Sequence, residues 1–87
     1  NEAKVIPARA WGKKGEKEID FLFLEEVKEG AWRVLCRPAR KIKLSDTIAF
    51  SPKLVGKVIE LEEGGKRIIQ FSTKSVLKEL KKIGYAP

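Results

Sequence analysis

Nine residues, Ile19 to Val27, read as one strand with apolar side chains on both faces. Side chains alternate along a strand, so Ile19, Phe21 and Phe23 point one way and Asp20, Leu22 and Leu24 the other. A lone antiparallel sheet keeps one face polar for water. A strand apolar on both sides therefore needs cover twice, once from a core and once from another element. The second cover is expected from the C-terminal helix or from a surface outside this chain.

The remaining segments are short strands between turns. Val5 and Ile6 favour a strand, and Pro7, which has no N–H to donate, sets it at an edge or ends its pairing. Lys13 to Glu18 is charged and glycine-flanked and reads as a loop or a frayed hairpin end. Glu26 to Gly30 supplies a turn, and Ala31 to Arg37 returns, with Trp32, Val34 and Cys36 alternating with Arg33, Leu35 and Arg37. Leu44-Ser45-Asp46 is a turn, Thr47 to Phe50 a short strand ended by Ser51-Pro52, and Leu54 to Leu61 another. Gly56 marks a bulge or a tight barrel corner. Glu62-Glu63-Gly64-Gly65 is the clearest hairpin turn, and Lys66 to Phe71 pairs back. Ser72 and Thr73 offer helix N-caps. Val76, Leu77, Leu80 and Ile83 share one helix face, with Gly84 as the C′ residue. Lys78, Lys81 and Lys82 sit at the negative end of the helix dipole, which accounts for them. Six short strands and one terminal helix predict a mostly β fold, a small six-stranded antiparallel barrel with one C-terminal α-helix, as a single domain over residues 1–87.

Composition narrows the function. At 43% hydrophobic and 36% charged residues the chain is globular and not disordered. No apolar run approaches the ~20 residues of a membrane span, and no signal-peptide pattern is present. A single cysteine, Cys36, cannot close an internal disulfide and favours a reducing compartment, so a cytoplasmic location is expected. The chain has no methionine, which fits an excised or processed piece. It also has no histidine, which excludes a Ser-His triad and a His general base within the chain, and one thiol without imidazole argues against a zinc site.

The formal charge is +7. Such a charge serves solubility or an anionic partner, with RNA ahead of membrane because no basic amphipathic anchor with aromatic residues is evident. Two clusters carry the RNA reading. One is Arg9, Lys13 and Lys14. The other lies in the run from Arg33 to Lys43, which holds five basic residues and no acidic one. The candidate RNA-binding residues are Arg9, Lys13, Lys14, Arg37, Arg40, Lys41 and Lys43. Arg9, two residues after Pro7, presents a guanidinium suited to phosphate or carboxylate and is the candidate for a role near substrate. Asp20 interrupts an apolar strand and is read as a partner for Arg9 or Arg33. No carboxylate pair in contrasting environments stands out for acid/base work, and Gly64-Gly65 is a turn, not a phosphate loop.

The order of short motifs resembles a known family. Asn1, then Lys4-Val5-Ile6-Pro7-Ala8-Arg9, then Gly12 resembles the segment entering the inserted β-barrel domain of the S-adenosylmethionine:tRNA ribosyltransferase-isomerases. Ile19-Asp20-Phe21-Leu22, Gly30-Ala31-Trp32, Arg37-Pro38-Ala39-Arg40-Lys41 and Glu63-Gly64-Gly65-Lys66-Arg67 follow in the family's order. Ile83-Gly84, with Pro87, resembles the exit. The resemblance implies a barrel excised from a larger two-domain enzyme of queuosine biosynthesis. That enzyme transfers and isomerises the ribosyl part of S-adenosylmethionine onto 7-aminomethyl-7-deazaguanine in tRNA, giving epoxyqueuosine. It implies tRNA and the larger α/β domain as partners, S-adenosylmethionine as co-substrate of the whole enzyme, and no cofactor or activity for this fragment alone. The chain departs from the family pattern at Ala3, at Ala10, at Glu16-Lys17-Glu18 where a Gly-Gly-Lys run is usual, at Asp20 for Glu, and at Ser45 for Gly. Two other readings stand beside it: a stand-alone non-catalytic RNA-binding barrel, and a protein-interaction module docking through Leu22 and Leu24.

Overall fold

In this computed structural model, residues 8–83 are described. The strand expected at Val5-Ile6, Pro7, and the roles given to Asn1, Gly84 and Pro87 lie outside those residues. Six strands form: β1 (Ala8–Lys14), β2 (Lys17–Lys28), β3 (Ala31–Arg37), β4 (Thr47–Ser51), β5 (Leu54–Glu62) and β6 (Lys66–Phe71), followed by helix α1 (Val76–Lys82). They close into an antiparallel barrel in the order β1-β2-β3-β6-β5-β4. Two three-stranded meanders, β1 to β3 and β4 to β6, thus meet along two seams, β3 with β6 and β4 with β1.

The register decides what shares each end. Lys14 pairs with Lys17, Asp20 with Arg37 and Leu35 with Lys66. The β1–β2 turn, the exit of β3 and the β5–β6 turn therefore lie at one end of the barrel. The connection from β3 to β4 crosses that end, and Ile42, fully buried within it, joins the core. Helix α1 leaves from the other end, where β6 finishes. It packs against β5 and sends Val76 and Leu80 into the same core.

Inward positions of the strands supply that core: Ile19, Phe21 and Phe23 from β2, Trp32, Val34 and Cys36 from β3, Leu54 and Val58 from β5. Phe23 lies at its centre, with ring centroids 5.2 Å from Phe50, 5.8 Å from Trp32 and 5.9 Å from Phe71. Such offset and edge-on pairs add to the burial of the rings.

Several expectations change. Of the two readings of Lys13 to Glu18, the hairpin end is the one observed: β1 runs through Lys14 and β2 starts at Lys17, leaving a two-residue turn at Gly15-Glu16 with Gly15 at φ 66°. Chain pairing across the turn continues the ladder to its last residues despite their charge. The helix does not cover the outer face of β2, because α1 packs on β5. Leu22 and Leu24 are instead half-buried on that face, with Leu22 aligned between Arg9 and Leu35. The bulge in β5 falls between Val58 and Glu60, not at Gly56. Gly56 is small for another reason: a Cβ there would sit 2.5 Å from Ile69 Cγ2 and 2.9 Å from the Gln70 carbonyl oxygen. The helix begins one turn later than Ser72-Thr73, with Ser75 as its N-cap, and the Ser75 N–H donates to Thr73 Oγ1 at 3.0 Å.

Ser45 occupies the left-handed region at φ 71°. Its N–H donates to Val58 O at 2.8 Å, which pins the turn to β5. A side chain there costs about 1 kcal/mol that glycine avoids, partly offset by the greater freedom of glycine in the unfolded chain. Ser45→Gly is expected to raise stability by about 0.5 kcal/mol and the melting midpoint by roughly 2–4 °C. A calorimetric midpoint that falls would show that the Ser45 side chain makes a compensating contact.

Candidate nucleic-acid interface

The sequence-predicted cations separate into three places. Lys14, Arg40, Lys41 and Lys43 come together, with Lys17, Glu16 and Ile19, around a cleft of about 510 Å³ at the end of the barrel crossed by the β3–β4 connection. Arg9 and Arg37 share a smaller cleft of about 130 Å³ with Asp20, Leu22 and Leu35. Lys13 lies apart, in a groove of about 440 Å³ beside Trp11. Neighbours on a strand face opposite ways, which is why Lys13 and Lys14 part company.

The large cleft is built from two pieces. One wall is the β1–β2 turn, which delivers Lys14 and Lys17. The other is the β3–β4 connection, where a 3₁₀ turn at Ala39–Lys41 delivers Arg40 and Lys41. Lys14 joins them: its Nζ donates to Lys41 O at 2.7 Å and pairs with Asp46 at 2.9 Å. Asp46 Oδ2 also accepts from the Lys43 N–H at 2.6 Å. These bonds, with the Lys14 side chain first, hold the Asp46 carboxyl below the usual carboxylate range. Beneath the connection lies Arg67, a buried guanidinium. Its Nε donates to Ile42 O at 2.8 Å, one NH2 to Ala39 O at 2.9 Å and the other to Lys66 O at 2.8 Å. The hydrogen-bond partners of Arg67 are thus backbone carbonyls, which fasten the cation-bearing loop to β6.

Electrostatics mark the cleft. Five cationic side chains line it with one carboxylate, Glu16, and a second carboxylate, Asp46, pairs with Lys14. The Lys41 ammonium is held below its ordinary value, first by the charge of Lys17, then by burial and by Arg40. Like charges this close are costly when empty and are relieved by a bound anion. The cleft can hold phosphate oxygens through several charge-assisted hydrogen bonds at once.

Other basic residues are already engaged. Arg33 donates to Glu62 at 2.7 and 3.2 Å and also to Glu25, which raises its pKa and leaves it out of the basic surface. Arg9 grips Asp20 in a two-bonded fork, at 2.9 and 2.8 Å, so the partner expected for Asp20 is Arg9 and not Arg33. Sequence reasoning missed Lys17 and Arg67. Lys17 was hidden by Glu16 and Glu18 on either side of it, and Arg67 by its place beside Lys66 at the start of a strand, where a charged pair reads as surface. Cys36 behaves as expected of a buried thiol: desolvation pushes its pKa up to about 12. Among the described residues no group of three metal-ligating side chains is present, and no helix is long and apolar enough to cross a membrane.

Comparison with known proteins gives the frame for this geometry. The family model described as a queuosine biosynthesis protein matches residues 1–87. The S-adenosylmethionine:tRNA ribosyltransferase-isomerase of Finegoldia magna is 38% identical over 90 residues, covering 100% of this chain and 26% of that protein. The protein of the same name from Clostridioides difficile is 36% identical, covering 92% of this chain and 24% of its own length. A crystal structure of S-adenosylmethionine tRNA ribosyltransferase from Thermotoga maritima superposes with a TM-score of 0.70 at 31% identity, over 93% of this chain and 34% of that one. The chain spans about a quarter of the length of the curated relatives it matches.

Proposed function

This chain belongs to the queuosine biosynthesis protein family, and from that premise we propose that it is the barrel domain of an S-adenosylmethionine:tRNA ribosyltransferase-isomerase that grips the phosphate backbone of tRNA. The whole enzyme would move the ribosyl group of S-adenosylmethionine onto 7-aminomethyl-7-deazaguanine in tRNA and isomerise it to epoxyqueuosine. On the family resemblance, the reaction and S-adenosylmethionine are assigned to the larger α/β domain of that enzyme. The observation that carries the tRNA role is the convergence of Lys14, Lys17, Arg40, Lys41 and Lys43 on one cleft. Phosphate contacts of this kind position a nucleic acid without reading its sequence. The expected location is the cytoplasm.

Arg9, with its charge met by Asp20 and flanked by the half-buried Leu22 and Leu35, suits a different task. A fork held rigid beside apolar side chains fits the surface that receives the larger domain, with Arg37 at its rim.

The test replaces Lys17, Arg40, Lys41 and Lys43 together by Ala, leaving Lys14 to hold Asp46. Binding of tRNA is measured across a range of salt. Affinity is expected to fall, and the dependence of log K on log salt to flatten by about 0.7–0.9 for each phosphate no longer neutralised. Unchanged affinity and slope would move the RNA surface elsewhere, and loss of binding to a protein partner on Leu22→Ser and Leu24→Ser would favour the docking reading.

A further inference from the structure

We propose that Lys41 is a site of acylation by small acyl phosphates, which enter the cation cleft by their phosphate end and turn one of its charges into a neutral amide. This rests on the phosphate reading above and adds to the same cleft a reagent and a means of regulation.

Two lysines among the described residues are half-buried, Lys14 and Lys41, and their surroundings differ. Lys14 has an acceptor and a counter-charge, the Lys41 carbonyl at 2.7 Å and Asp46 at 2.9 Å. The Lys41 ammonium has neither among the described residues. It stands against the Lys17 ammonium, with the Arg40 guanidinium beside it. Its backbone is fixed there. The Lys41 N–H donates to Pro38 O at 3.2 Å, its carbonyl accepts from Lys14, and the next residue, Ile42, is fully buried and held by Arg67. Two like charges at this range, one of them partly desolvated, favour loss of a proton, in line with the lowered pKa of Lys41. A neutral lysine amine is a nucleophile, and a second cation close by is one way to make one.

Lys17, Arg40 and Lys43 select the reagent. None of them is paired with a carboxylate among the described residues, so all three can hold a phosphate. An acyl phosphate carries its carbonyl one oxygen away from the phosphorus. Cations that hold the phosphate therefore bring the carbonyl to Lys41 and also meet the charge of the leaving group. A thioester on a large phosphorylated carrier has its phosphates many bonds from the carbonyl and gains neither. In the reaction the Lys41 nitrogen lone pair forms the N–C bond. The bond from the acyl carbon to the phosphate oxygen breaks, and that oxygen leaves with its electron pair. The amine gives up one proton, which departs as hydrogen phosphate. The amide that remains has no charge, so the cleft holds a polyanion less well.

The test incubates the protein with acetyl phosphate and follows acylation at each lysine by peptide mass spectrometry. Lys41 is expected to react at least about tenfold faster than Lys53 and Lys57, exposed lysines that line no part of the cleft. Inorganic phosphate, tRNA and the Lys17→Ala substitution should each slow Lys41 and leave Lys53 and Lys57 unaffected. Lys41→Gln, which resembles the amide, should weaken tRNA binding and flatten its salt dependence by about 0.7–0.9, while Lys41→Arg keeps both. A Lys41 that reacts no faster than Lys53 overturns the proposal, and so does a preference for Lys41 that inorganic phosphate leaves untouched. Either result, beside tRNA binding that still depends on Lys17, Arg40 and Lys43, removes the acylation site and leaves the RNA reading intact. Acylation of Lys41 that inorganic phosphate slows and tRNA does not would overturn the RNA reading and keep the acyl-phosphate site.

Discussion

Arg67→Leu is expected to destabilise the barrel by about 3 kcal/mol or more. The guanidinium is only 9% exposed and satisfies the carbonyls of Ala39, Ile42 and Lys66. Leucine fills part of its volume but leaves those acceptors without a donor, and each buried acceptor stranded in this way costs about 1–3 kcal/mol. The effect is not confined to stability. The Ala39 and Ile42 carbonyls belong to the connection that carries Arg40, Lys41 and Lys43, so the cleft should lose its shape together with its anchor. Arg67→Lys keeps the charge but presents one compact ammonium where a planar fork reaches three carbonyls, and it should recover less than half of the loss. Urea titration gives the stability and tRNA binding the second readout. A midpoint within about 0.5 kcal/mol of wild type for Arg67→Leu would mean that water replaces the guanidinium without cost.

Phe23→Ala should cost about 3–5 kcal/mol, enough to leave a small domain largely unfolded at moderate temperature. The ring is fully buried and touches three other aromatic rings from β3, β4 and β6. Truncation therefore removes the burial of a large side chain and opens a cavity bounded by closed sheet, which cannot collapse inward as a loop can. Phe23→Leu, which fills most of the space, should lose less than half as much. Denaturant midpoints for the two variants decide the matter: equal losses would mean that ring stacking and not volume holds the centre.

Much of the fold was legible because strand periodicity is local. Ala31 to Arg37 and Lys66 to Phe71 have the bounds that their alternation and flanking turns dictate. The inward set Ile19, Phe21 and Phe23 follows from the same period of two. The Glu63–Gly65 turn was equally plain, since Gly64 and Gly65 sit at φ 75° and 80°, where other residues are strained. The strand count and the closing helix followed from these pieces, and the order of motifs led to the right family. Lys13 to Glu18, which reads as a loop or a hairpin end, shows the limit of composition. Charge does not separate the two, because an outward or terminal strand position takes a charge freely.

By itself, then, the chain determined which residues alternate inward, where it must turn, and that it carries a surplus of seven positive charges. Only the tertiary structure decided which charges act together. Ion pairing is set by register across strands far apart in sequence: Arg33 finds Glu62 twenty-nine residues away, Arg9 finds Asp20 across a hairpin, and both leave the basic surface. The same closure of the barrel brings the β1–β2 turn against the β3–β4 connection, so Lys14 and Lys17 meet Arg40, Lys41 and Lys43. Charge along a chain is additive and local, whereas the field in a cleft depends on distance in space, and distance is what folding supplies.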